Sequence, residues 1–180
     1  MDINIDAPEE VIEEEKPSIM KKIFIILIAI FLLFLFLTYL LTSPTVWGIL
    51  QGLAESSILE GNQFKVGEKA IVFSNNSYNK LLEVYDKNPN IEFKVCLTGG
   101  IIDKNYTIYS VYEPKMLSQS YTSVVSEKCP KETIIALHNH PSRFCIPSKK
   151  DLENLKVLKG DNPNAMIAIM CTKNRINFYK

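Results

Sequence analysis

Histidine is scarce in this chain. Two occur among 180 residues, and both fall in one tripeptide, His138-Asn139-His140. Cysteine is sparse too, and none of the four (Cys96, Cys129, Cys145, Cys171) forms a C-x-x-C pair. That excludes a zinc ribbon and a thioredoxin-like redox motif. Buried free thiols are the default expectation for such cysteines. A disulfide between Cys129 and Cys145, which flank the histidines, would instead point to an oxidising compartment. An excess of one charge is also missing. The formal net charge is zero, and beyond residue 42 seventeen basic residues face thirteen acids without forming a patch. No nucleic-acid partner is expected from that balance.

Charge, glycine and proline are all absent from IFIILIAIFLLFLFLTYLLT, residues 23–42. Twenty such residues in a helix span about 30 Å, the hydrocarbon thickness of a bilayer. The run is apolar all round rather than along one stripe, which predicts a single transmembrane helix. It exceeds a signal-peptide core of roughly 7–15 residues, and no small-x-small site follows it, so it reads as an uncleaved anchor. Lys16, Lys21 and Lys22 flank its start, whereas the first base beyond it is Lys65. The positive-inside rule then places the N-terminus in the cytoplasm and the rest outside, with a cytoplasmic domain as the alternative.

Residues 1–22 hold seven acids and are predicted to be a disordered tail. Residues 43–64 read as a juxtamembrane connector with some helical character, placing Trp47 at a membrane interface. Residues 65–180 read as one soluble domain. In it KAIVF, IEFKVCLTGG, YTIYSVYEP, ETIIALHNH, AMIAIMC and RINFY predict strands, the second closed by a Gly-Gly turn. SNNSYNKLLEVYDKNPN predicts a helix capped by Asn76 or Ser77, and SKKDLENLKVLKG another ending at Gly160. Strands and helices alternate without a regular period. The expected fold is therefore α/β, a mixed sheet flanked by helices.

Alternate strand residues share a face. His138 and His140 are thus predicted side by side, with Asn139 turned away and the strand stopped by Pro141. Ser148 and Asp151 have the spacing of a capping box at the start of the next helix. That fixes the Asp151 carboxylate on the first turn. Two imidazoles and one carboxylate form a usual catalytic zinc set, although other divalent ions accept the same ligands.

The spacing His138-Asn139-His140, seven residues, then Ser148-Lys149-Lys150-Asp151 resembles the signature of the JAMM (MPN-plus) zinc metalloproteases. The resemblance implies an MPN domain over roughly residues 66–180, in its minimal prokaryotic form. It implies one Zn2+ on His138, His140 and Asp151, with Ser148 donating to the oxyanion. The family's upstream form E-x-x-x-x-L-x-G is matched from Glu92 through Leu97 to Gly99, which implies Glu92 as general base. The implied activity is hydrolysis of a peptide or isopeptide bond after the C-terminal glycines of a ubiquitin-like or sulfur-carrier protein. Two alternatives stay open. Non-catalytic MPN-type scaffolds share the fold but lose the ligands kept here. RadC-type proteins carry a similar H-N-H-P-S string, with a glycine where this chain has Arg143.

Overall fold

The computed structural model describes residues 18–74 and 76–180. Residues 1–17 of the predicted acidic tail therefore lie outside the described residues. The first helix, α1, runs Ile19–Thr42 over 24 residues, none of them buried. Ser18 caps it, its hydroxyl accepting from the Lys21 amide at 3.4 Å. That cap draws Lys21 and Lys22 into the first turn, ahead of the uncharged run. By length and composition α1 is long and apolar enough to cross a membrane.

Pro44–Lys180 forms a second compact unit. It opens with α2 (Pro44–Glu55), proline occupying the first helical position, where its missing N–H costs nothing. A hairpin of β1 (Ser57–Glu60) and β2 (Gln63–Val66) follows, turning at Gly61 with φ +65°. Then come β3 (Lys69–Phe73), α3 (Ser77–Lys87), β4 (Lys94–Ile102), β5 (Asn105–Tyr112), β6 (Met116–Gln119), β7 (Val124–Ser126) and β8 (Thr133–Asn139). The chain ends with α4 (Lys149–Asp161), β9 (Met166–Thr172) and β10 (Arg175–Tyr179).

Eight strands close into a barrel in the order β1-β10-β9-β8-β4-β5-β3-β2, while β6 and β7 form a separate two-stranded sheet. The expectation of a helix-flanked MPN-type sheet is corrected by this closure. The cause lies in the stretch read as a connector. The β1–β2 hairpin pairs with β10 on one side and β3 on the other, joining the two edges an open sheet would have left bare. Unpaired strand edges are a liability that closure removes. The pairs β3–β5 and β8–β9 are parallel and the remaining pairs antiparallel.

The predicted Gly-Gly turn is also corrected. Gly99 and Gly100 sit inside β4, and the turn falls at Asp103 and Lys104, both with positive φ. A Cβ on Gly99 would lie 1.9 Å from the Thr107 carbonyl oxygen. The glycine is therefore there for close strand approach at a register shift.

The core gathers Phe64, Ile71, Phe73, Val95, Leu97, Tyr106, Ile108, Ile135, Leu137 and Phe178, with Leu81 and Val84 of α3. Each fully buried large side chain contributes about 1.5–3 kcal/mol relative to exposure. Along β8, Ile135 and Leu137 enter this core, so Ala136 and His138 face the other way. Along β9, Met166, Ala168 and Met170 join the core, while Ile169 and Cys171 pack outward against Cys145. That outer face of β8 and β9 carries the site.

Candidate metal centre

Strand β8 delivers His138 to the outer face, and His140 follows two residues later, its amide bonded to the Met170 carbonyl at 3.1 Å. The period of two thus sets both imidazoles on one side, with ring centroids 4.9 Å apart. Their Nε2 atoms are separated by 3.1 Å. The Asp151 Oδ1 atom stands 3.3 Å from His138 Nε2. Ligand atoms of His138, His140 and Asp151 all lie within 4.8 Å of one another.

Ligands around a tetrahedral zinc, at roughly 2.0–2.1 Å from it, stand about 3.3 Å from each other. Two of the three separations match that edge and the third pair lies within 4.8 Å, so the donor set suits such an ion. The carbonyl of Phe144 accepts from His140 Nδ1 at 2.6 Å. A carbonyl oxygen only accepts, so Nδ1 carries the proton and Nε2 keeps its lone pair for a ligand. Burial, reinforced by the charge of His138, lowers the His140 pKa and favours the neutral ring.

The capping box predicted for Ser148 and Asp151 forms, and it does not compete with a metal role. Asp151 Oδ2 accepts from the Ser148 amide and hydroxyl, each at 2.7 Å, and the Asp151 amide donates to Ser148 Oγ at 3.2 Å. Oδ1 is left to face His138. One carboxylate is divided between two tasks. Burial alone would raise its pKa, but His138 and the Ser148 donors outweigh this and hold it well below the usual carboxylate range. The Ser148 hydroxyl is meanwhile committed to Asp151.

Glu92 lies just ahead of β4 and is 8% exposed. Its Oε1 atom is 3.9 Å from His140 Nε2. Burial is the main reason its pKa rises. Glu92, His138, His140, Ser148 and Asp151 all line one cavity of about 550 Å³.

Sequence reasoning left Asn139 without a task. It is 2% exposed on the inner face and fastens the segment carrying Glu92. Its Oδ1 accepts from the Phe93 amide at 2.6 Å, and its Nδ2 donates to the Ile91 carbonyl at 3.2 Å. The Glu92 amide in turn donates to the Ser120 carbonyl at 2.7 Å. An asparagine in an apolar strand that needs partners was the available signal.

The cysteines depart from expectation. None is free: Cys96 pairs with Cys129 and Cys145 with Cys171. Cys129 and Cys145 are not partners. The second bridge ties the loop between His140 and Ser148 to β9. The Cys145 carbonyl also accepts from Asn177 Nδ2 at 3.0 Å and from the Tyr179 hydroxyl at 3.1 Å. Arg143, at φ +60°, makes the turn that begins this loop. No protein-family model matches the chain, and a search of curated proteins finds no match.

Proposed function

We propose that this chain is a membrane-anchored, zinc-dependent peptidase of the kind its H-x-H…S-x-x-D motif resembles, the JAMM metalloproteases. The observation that carries this reading is the convergence of three ligand atoms within 4.8 Å of one another, beside a buried glutamate. His138, His140 and Asp151 would hold the ion. When bound, it supplies Lewis acidity, bringing the pKa of a water toward neutrality and polarising a carbonyl.

The chain's own residues do the rest. Glu92 takes a proton from the attacking water and returns it to the leaving amine. Its burial raises its affinity for the proton it takes up. Ser148, with its hydroxyl hydrogen turned from Asp151 Oδ2 to the substrate carbonyl, donates to the developing oxyanion. The Phe144 carbonyl holds the His140 tautomer.

Helix α1 serves as the anchor. Two disulfides and the lysine count both support a domain on the oxidising side of the membrane. On that side the substrate is an exported or membrane-borne polypeptide.

The test is incubation of the full chain with a complex peptide mixture, read by mass spectrometry. Cleavage abolished both by a chelator and by Glu92→Gln supports the reading. Cleavage that survives Glu92→Gln overturns the assigned base, and no cleavage by metal-loaded chain on peptide or isopeptide bonds overturns the activity.

A further inference from the structure

Helix α2 has 12 residues and one charged side chain, Glu55, at its far end. Gly48 and Gly52 are its buried residues. A Cβ on Gly48 would lie 2.2 Å from the Phe144 ring, and one on Gly52 would lie 2.8 Å from Cys145 Cβ. The glycine face is therefore pressed against the loop that joins His140 to Ser148. At about 100° per residue, Ile49, Leu53, Val46, Leu50, Ala54 and Trp47 follow each other round an arc of about 160°. Of these Trp47, Ile49, Leu50 and Leu53 are 40–56% exposed. So wide an exposed apolar arc marks an interaction surface.

We propose that this arc is an interfacial face whose partner is a lipid surface. The inference rests on the anchored reading of α1. Only Ser43 separates the end of α1 from the start of α2 in the chain, so α2 begins where a span made by α1 ends. The apolar arc and a tryptophan at its edge are features that suit burial at the boundary between headgroups and acyl chains. The opposite face, in place of the charged residues of a free surface helix, carries the glycines packed on the domain.

Thr45 and Ile49, at one border of the arc, also line the cavity that holds the candidate metal ligands. Lipid engagement of α2 therefore sets the cavity mouth at the bilayer surface. The substrate class follows: polypeptide segments lying on or emerging from the membrane. There is also a path from lipid to ligand, because Gly48 seats the ring of Phe144 and the carbonyl of Phe144 holds His140.

Trp47 is the one tryptophan in the chain, so its place can be moved. The full chain carrying Trp47→Phe and Leu53→Trp is reconstituted into phosphatidylcholine vesicles with and without brominated acyl chains. Position 53 lies eleven residues beyond Thr42, roughly 16 Å along a helix, out of reach of acyl chains if α2 stands away from the membrane. The expected result is at least a twofold loss of emission in brominated vesicles with weak quenching by acrylamide. Quenching by acrylamide and not by bromolipid shows a water-exposed face and overturns the proposal. Quenching by neither shows a face covered by protein, such as a second copy, and also overturns it. Carbonate extraction of the wild-type chain reads the anchor separately. A chain that resists extraction while residue 53 sits in water leaves the anchor standing and removes only the interfacial helix.

Discussion

Asn139 accepts a hydrogen bond from the amide of Phe93 at 2.6 Å, joining the H-x-H strand to the segment that carries Glu92. The residue between the two candidate ligands thus positions the candidate base 47 positions upstream of it in the chain. Replacing it with leucine leaves the buried Phe93 amide without that partner, a loss of about 1–3 kcal/mol. Asn139→Leu should keep its metal and lose turnover, because the ligands stay on β8 while Glu92 drifts. Metal content measured beside kcat separates this from a general failure to fold. Asn139→Asp keeps the acceptor for Phe93 and should retain more activity than Asn139→Leu.

The two acids of the site have opposite pH signatures in the metal-free chain. Asp151 has a depressed pKa, so its contribution is present above the unfolded value near 3.8 and is lost as pH falls through the folded value. Glu92 has a raised pKa, so the native state holds its proton longer than the unfolded one. Stability then declines as pH rises from about 4.5 through the folded value. In chelator-treated protein, Glu92→Gln should therefore be more stable than wild type at pH 8, with the gain fading toward pH 4. Asp151→Asn should be less stable at pH 8. Urea unfolding at several pH values checks both signs.

The disulfides should differ in what they support. Closing loops of 33 and 26 residues, each contributes about 3–4 kcal/mol in the chain-entropy account. Only the Cys145–Cys171 bridge ties down the loop between His140 and Ser148, fastening it to β9. Cys145→Ser with Cys171→Ser should weaken metal affinity by tenfold or more. Cys96→Ser with Cys129→Ser should lower the melting temperature comparably and change metal affinity far less. Competition with a chromogenic chelator, beside a thermal melt, reads both.

The glycine face of α2 should be intolerant at Gly52 and more tolerant at Gly48. A Cβ at Gly52 meets Cys145 at its Cβ, amide and Cα, and Cys145 is held by a disulfide and two hydrogen bonds. A Cβ at Gly48 meets the far end of the Phe144 ring, which can swing aside. Overpacking typically costs about 1–3 kcal/mol. Gly52→Ala should fall in that range and Gly48→Ala below it, as measured by thermal unfolding.

The placement of the three candidate ligands was legible in the sequence because it uses local periods. His138 and His140 share a strand face by alternation, and Asp151 sits on a first turn fixed by Ser148. Glu92, two residues ahead of β4, carries no local signal and was reached only through the E-x-x-x-x-L-x-G resemblance. The barrel was not legible. Its closure depends on β1 and β2, four residues each, too short to show a period and lying directly behind an apolar stretch that reads as a connector. Gly99-Gly100 looked like a turn because composition cannot distinguish a glycine needed for positive φ from one needed for close approach. The cysteine pairs were hidden for a related reason. Each bridge spans elements that only the strand order brings together.

The central claim is that His138, His140 and Asp151 hold a metal ion with Glu92 beside it as a base. It is tested most directly by the metal content of the purified full chain. About one zinc per chain in wild type and in Glu92→Gln, lost in His140→Ala, is the predicted result. A folded wild-type chain that takes up no divalent metal at micromolar concentration would contradict it, leaving a helix cap beside two hydrogen-bonded imidazoles.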